Sequence, residues 1–245
     1  MILTHICDKA CPFCSDLYRI YCPVVNDETK SVVSQFAMSI NTLNDIIPKL
    51  LKEEIIRVTL VGGEATLNPD FVEICKLLHQ HFEVVCTSAM FDLNKIIDAS
   101  NYVDHWNFSV YRNNLDLSFT NKLKGTVTLS KLLFDGDSII TNMDDLDKYI
   151  DKYGDKYQLK FSTLRGVNRF SVEREYVSWL EESHKLEKVM IFNNEVYSYK
   201  YRGYYIDRKN VEPIYSKEKL PTSLKVHPNG IIDYTWDEPW NKSYN

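Results

Sequence analysis

Three cysteines crowd the start of the chain in the segment CDKACPFC, where Cys7, Cys11 and Cys14 stand in the spacing C-x3-C-x2-C. Thiolates at such short intervals converge on one centre, and the chemistry they suit is metal binding. Each of the four irons of a [4Fe–4S] cube takes one external ligand, usually a thiolate. Three cysteines on one tight loop hold three corners and leave the fourth iron open, unless Cys22 closes it. A structural zinc site is the other reading. It wants four ligands with paired C-x2-C spacing, and His5 or Cys22 would complete it. Spacing alone leaves both open. A chance cluster of core cysteines fits less well, because the loop is polar and follows directly on a strand-like run.

A second motif, TLVGGEATLNPDF, spans Thr59 to Phe71 at the end of another strand-like run. Two glycines there allow close backbone approach to a ligand, since no Cβ intrudes. Glu64 follows them. The remaining cysteines read differently: Cys75 and Cys86 lie in apolar periodic segments and are expected in the core. Cys22 is read as a loop thiol or a substrate contact.

The elements that must position these residues come from apolar spacing. Strands are expected at Ile2–Ile6, Ile55–Val61, Glu83–Thr87, His105–Tyr111, Gly125–Phe134 and Gln158–Leu164. Helices are expected from Asn41 to Ile55, after Asn68, around Leu93–Ala99, around Asp144–Lys152 and over Val172–Leu186. In the first helix Leu43, Ile46, Ile47, Leu50 and Leu51 share a face, with Pro48 set against it. In the second, Asn68 is expected as N-cap with Pro69 at the first helical position. The stretch Ser15–Ser39 reads as irregular and long for a loop. Six strands alternating with helices imply an α/β fold with a parallel sheet, a partial (β/α)6 TIM-like barrel. After residue 187 the rhythm changes to strand–turn–strand, with a hairpin turning at Asn229–Gly230. The expected organisation is a core over 1–187 and a small antiparallel β extension over 188–245, capping the substrate side or closing the barrel.

Bulk properties bound the function. The chain has 245 residues, 44% hydrophobic and 26% charged, with a formal net charge of −5. That length supports a sizeable core without disulfides. The acidic balance gives no global field toward nucleic acid or anionic membrane. The opening MILTHIC lacks the apolar core of a secretory leader, and no run is long enough to span a bilayer. A cytoplasmic location with reduced thiols is expected. Sixteen tyrosines, many within YSYKYRGYYID (Tyr197–Asp207), favour half-buried strands and binding surfaces.

The order strand, cysteine loop, helix, strand, Gly-Gly-Glu, helix resembles that of the radical S-adenosylmethionine (SAM) enzymes. CDKACPFC resembles their cysteine motif, including the aromatic Phe13 before the last cysteine. GGEATLNP resembles their GGE motif, with Ala65 where proline is common. The resemblance runs from about Ile2 to Leu164. It implies that Cys7, Cys11 and Cys14 ligate three irons of a [4Fe–4S] cluster and that SAM chelates the fourth. It implies that Gly62, Gly63 and Glu64 bind the SAM ammonium, through backbone carbonyls or the Glu64 carboxylate, and that Phe13 offers its backbone to the adenine edge. Ser109 ends the fourth strand, where the family often places a serine against SAM, and Arg112 would pair with the SAM carboxylate or ribose. Thr87 and Ser88 stand where many members have Thr-Asn-Gly, and Arg165 follows the sixth strand.

The activity implied is reductive cleavage of SAM to a 5′-deoxyadenosyl radical that takes a hydrogen from a small-molecule, nucleotide or peptide substrate. No catalytic side chain is assigned. The implied partners are that substrate and an electron donor such as flavodoxin or ferredoxin; no membrane or nucleic-acid partner is expected. Narrower alternatives are a peptide- or protein-modifying maturase and a glycyl radical enzyme activase. The alternative of another class is a non-catalytic zinc or iron–sulfur scaffold. Many peptide-modifying members carry further cluster cysteines near the C-terminus. Here no cysteine follows Cys86, and Tyr234 stands where one would fall, so no auxiliary cluster is expected.

Overall fold

Alternating strand and helix signals resolve into a mixed α/β chain whose strands β3 (Arg57–Leu60), β4 (Glu83–Ser88), β5 (His105–Ser109), β6 (Thr126–Leu133) and β7 (Gln158–Thr163) run parallel in an open sheet. The structure is a computed structural model, and it describes residues 1–9, 11, 20–21, 36–111, 115–134, 138–163, 177–181, 183, 187–191, 196–208 and 224–233. The chain divides into two compact units. One comprises Met1–Trp106, Phe119–Thr126 and Ser216–Asn245; the other comprises Asn107–Ser118 and Val127–Tyr215.

The first unit holds the two motifs. The expected opening strand is broken up. Ile2 makes a single parallel bridge to Val61, Thr4 an antiparallel one to Ala37, and only β1 (Ile6–Cys7) is a strand, paired in parallel with β2 (Ile20–Tyr21). Helix α1 (Ile40–Lys52) starts at Ser39, whose hydroxyl accepts from the Thr42 amide at 3.1 Å. It buries Leu43, Ile46, Ile47 and Leu50, while Leu51 falls outside the apolar face and is 45% exposed. The helix runs through Pro48, which sits on the exposed side, where water can serve the carbonyl its ring leaves unbonded.

Strand β3 pairs with β4 in the register Arg57↔Glu83 to Leu60↔Cys86. Val58, Leu60, Val84 and Cys86 alternate into the core, as two-residue periodicity requires. Helix α2 (Phe71–His79) covers them with Phe71, Ile74, Cys75 and Leu78, at i, i+3, i+4 and i+7. Its N-cap is Asp70 rather than Asn68. Asn68 ends a short 3-10 turn, Ala65–Leu67, and its carbonyl-type Oδ1 accepts from the Asp70 amide at 2.8 Å. The two-residue displacement arises because Asn68 is wholly buried and engaged elsewhere, as described below. Helix α3 (Leu93–Asp98) follows β4 and is capped by Asp92. The hairpin of β11 (Lys225–Val226) and β12 (Ile232–Asp233) turns where Asn229–Gly230 is expected, and the Val226 carbonyl accepts from the Ile2 amide at 2.8 Å.

In the second unit β6 and β7 pair from Thr128↔Gln158 to Leu133↔Thr163. Helix α4 (Met143–Tyr153) buries Leu146, Tyr149 and Ile150, and the Tyr149 ring meets Phe161 edge-on at 5.9 Å. Only Ser178–Glu181 of the helix expected over Val172–Leu186 is described, as α5. Strands β8 (Glu187–Ile191), β9 (Val196–Tyr201) and β10 (Tyr204–Arg208) form the expected antiparallel meander, and β10 also pairs in parallel with β7 through Ile206↔Phe161. The β9–β10 turn places Arg202 at φ 48° and Gly203 at φ 84°, the left-handed pair that a two-residue hairpin needs. Arg202 then binds Asp147 at 3.0 Å and Asp151 at 2.6 Å on α4.

Candidate functional site

The site grows from the meeting of the Gly-Gly-Glu segment with the chain leading into the cysteines. The Gly63 amide donates to the Thr4 carbonyl and the Glu64 amide to the Ile6 carbonyl, both at 2.8 Å. This approach explains the glycines. A Cβ on Gly62 would lie 2.4 Å from the Thr4 oxygen, and one on Gly63 would lie 2.3 Å from the Ile6 oxygen. The space that excludes a side chain at both positions is thus filled by the backbone of residues 4–6. Among the described residues, no donor meets the carbonyl oxygen of Gly62 or Gly63.

Glu64 is 2% exposed and its carboxylate is fully engaged. Oε1 accepts from the Thr66 amide at 3.1 Å, the Thr66 hydroxyl at 2.7 Å and the Ser88 hydroxyl at 2.8 Å; Oε2 accepts from the Ala89 amide at 2.6 Å. Burial nonetheless pushes its pKa above the usual carboxylate range, against the pull of those donors. Ser88 is buried at the end of β4, and its hydroxyl also accepts from the Met90 amide at 2.9 Å. Thr87 points to the opposite, half-buried face of the strand.

Cys7 is buried and Cys11 half-buried, and neither is joined in a disulfide among the described residues. Burial pushes the Cys7 thiol up to about 11; the Lys9 amide, donating to its sulfur at 3.4 Å, opposes this, while Asp8, Glu64 and Cys11 add to it. Cys7 thus lies within electrostatic reach of both Cys11 and Glu64. Such a thiol becomes a thiolate only beside a cation, which is what a metal ligand in this position requires. Asp8 pairs with Lys9 through one oxygen and leaves the other buried without a partner among the described residues. A buried Cys7 thiol pushed above its ordinary range, Cys11 within electrostatic reach of it, and two acceptor carbonyls with no donor among the described residues fit a [4Fe–4S] cluster with SAM.

The remaining expected residues divide simply. Ser109 is the last residue of β5, half-buried, in the second unit. Phe13, Cys14, Arg112 and Arg165 lie outside the described residues, as do Cys22 and Tyr234. Cys75 and Cys86 are fully buried core thiols, as expected.

Three participants carry no sequence signal that points to the site, Asn68 being marked only as a helix cap. Thr66 supplies two of the donors to Glu64. The Asn68 side-chain amide donates to the Leu3 and Met38 carbonyls, both at 3.0 Å. Lys95 on α3 donates from Nζ to the Thr66 carbonyl at 2.9 Å and the Asn68 carbonyl at 2.8 Å. Lys95 would have been visible only as the charged residue on the inner side of a short helix directly after the second motif's neighbouring strand.

Residues 1–117 match the family model described as "Radical SAM superfamily". No curated protein matches the chain. Among solved structures, one entitled "Structure of TYW1 with a lysine-pyruvate adduct bound" is similar at 16% sequence identity and a TM-score of 0.42, covering 85% of this chain and 80% of that one.

Proposed function

We propose, from the match of residues 1–117 to the Radical SAM superfamily model, that the chain is a radical SAM enzyme using a [4Fe–4S] cluster and SAM, and that its residues divide the work as follows. Cys7, Cys11 and Cys14 hold the cluster by three irons. The carbonyls of Gly62 and Gly63 receive the SAM ammonium. The Glu64 carboxylate does not, because four donors already occupy it and burial disfavours its charge. Its work is to fasten the Gly-Gly-Glu segment to the end of β4, and Ser88 serves that fastening. Phe13, Thr87, Ser109, Arg112 and Arg165 remain proposed contacts to SAM.

The observation that carries this reading is the pair of 2.8 Å bonds from Gly63 and Glu64 to the chain entering Cys7, beside two carbonyls that meet no donor among the described residues. When bound, the cluster and SAM supply one-electron cleavage of a carbon–sulfur bond, giving methionine and a 5′-deoxyadenosyl radical. The chain's own part is to orient the ammonium by fixed carbonyls and to keep the segment from relaxing. The substrate is a small molecule, nucleotide or peptide, and a flavodoxin or ferredoxin supplies the electron.

Anaerobic reconstitution with iron and sulfide tests the proposal. The product should bind about four irons per chain and release 5′-deoxyadenosine from SAM under reductant. An intact cluster that yields none refutes it; zinc without iron or sulfide after anaerobic purification points to the scaffold reading instead.

A further inference from the structure

We infer that Lys95 is a positioning residue for SAM binding, holding the 65–68 turn so that the Gly62 and Gly63 carbonyls stay aimed at the SAM ammonium. This rests on the functional reading above. The turn is fastened on three sides. Glu64 ties its start to Ser88 and Ala89. Asn68 ties its end to Leu3 and Met38. Gly63 and Glu64 tie what precedes it to Thr4 and Ile6.

The fourth side is the turn's own carbonyl end. The last carbonyls of a helical turn have no partner within it. Here Lys95 donates from one ammonium to the Thr66 carbonyl and to the carbonyl of the cap residue Asn68, which also accepts from the Phe71 amide at 3.2 Å. Lysine loses about 2 kcal/mol of side-chain freedom when fixed in this way. Its head is also partly withdrawn from water, and that desolvation lowers its pKa although Asp92 and Asp70 favour the charge. A lysine with no task here would extend into solvent. Its base is fixed as well, because the Lys95 amide donates to the Asp92 cap at 3.1 Å.

Removing the ammonium leaves the apolar core around α2 and β4 untouched, since Lys95 contributes nothing to it. What changes is the stiffness of the turn. A ligand that uses two backbone acceptors then has to order them on binding, which weakens affinity without altering the contacts themselves.

The test compares wild type, Lys95→Met, Lys95→Gln and Lys95→Arg. Three readouts are taken: iron and sulfide content, equilibrium binding of SAM to the reconstituted protein, and amide hydrogen exchange over 63–68 in the cluster-free chain. Lys95→Met is expected to keep its cluster, to bind SAM about tenfold more weakly, and to exchange faster at the Thr66 and Leu67 amides. Lys95→Arg, which retains paired donors, should restore most of the affinity. Wild-type SAM affinity in Lys95→Met overturns the inference. So does loss of the cluster or of the folded state in both Lys95→Met and Lys95→Gln, since Lys95 would then be a folding residue. Wild-type protein that holds a cluster yet binds no SAM overturns the functional reading itself.

Discussion

Replacing Gly63 by alanine should separate the two motifs. An alanine Cβ would sit 2.3 Å from the Ile6 oxygen, 2.6 Å from the Ile6 carbonyl carbon and 2.8 Å from the His5 oxygen, all backbone atoms that cannot swing aside. Ordinary contact begins near 3.4 Å, so the segments must part by 3.4 − 2.3 = 1.1 Å. That displacement carries the Gly63–Thr4 and Glu64–Ile6 bonds from 2.8 Å to almost 4 Å, beyond hydrogen-bonding range. Two lost backbone bonds cost about 1–3 kcal/mol. Overpacking against a rigid neighbour adds about 1–3 kcal/mol. The sum, about 2–6 kcal/mol, is a large share of the stability of an ordinary domain. Urea unfolding of the cluster-free protein measures it, and iron content after reconstitution measures the effect on the site. Gly203→Ala is the control: nothing lies within 4 Å of its Cβ, and only the left-handed φ of 84° is penalised, by about 1–2 kcal/mol, with cluster content unchanged. A Gly63→Ala protein with wild-type stability and full iron would refute the reasoning that close backbone approach is why glycine stands there.

Other perturbations probe separate parts of the argument. Burial raises the Glu64 pKa, so the folded chain holds a proton that the unfolded chain releases near the ordinary value of 4.5. Its contribution to stability is therefore fully present below that value and is lost as pH rises through the raised one. Glu64→Gln should flatten this slope in urea midpoints measured from about pH 4 to pH 8; an unchanged slope assigns it to another group. Cys11→Ala should abolish the iron–sulfur absorbance and reduce bound iron, and a full complement of iron in that variant would remove Cys11 from the ligand set. Phe161→Ala empties a position that is 1% exposed and packed between the rings of Tyr149 and Tyr204. It should cost about 3–5 kcal/mol in urea unfolding, and a loss below about 1 kcal/mol would mean that the β7–α4 layer closes over the gap.

The parallel core was legible because its strands are short, largely apolar runs with helices between them, although burial alternates along them: Val58, Leu60, Val84 and Cys86 are buried while Arg57 and Thr59 are exposed. Helix α1 was readable to within one residue at its start and three at its end, even through Pro48, because Leu43, Ile46, Ile47 and Leu50 outvote one proline on the solvent side. Leu51 shows the limit: a fifth apolar residue beside the stripe widens it on paper but not in the fold. Asn68–Pro69 carried a valid N-cap signature and still misled, since a side chain with two carbonyls to satisfy in the interior is worth more there than at a helix end. Gly62 and Gly63 were legible as a demand for closeness, but a single chain does not say closeness to what. The partner turned out to be the backbone of Thr4–Ile6, some fifty-seven residues away in sequence. Glu64 was legible as an acid near a cofactor, whereas its four donors come from Thr66, Ser88 and Ala89, two backbone amides and two hydroxyls that no spacing rule predicts. Lys95 was not legible at all, because a lone lysine on a short helix is ordinary until its distances are known.

The Asn68 amide has a further consequence through the two carbonyls it joins. Leu3 and Met38 are bonded to each other, the Met38 amide donating to the Leu3 carbonyl at 2.8 Å, and Asn68 clasps both. Thirty-five positions separate them, from the difference of the two spans to Asn68, 65 − 30. Bringing such ends together costs about 3 kcal/mol of chain entropy, but doubling the intervening length adds only about 0.6 kcal/mol. The clasp thus separates the architecture from the length of the sequence it encloses. An insertion between Leu3 and Met38 that doubled the enclosed length would weaken this junction by about 0.6 kcal/mol, no more than the loss of one of the hydrogen bonds that close it.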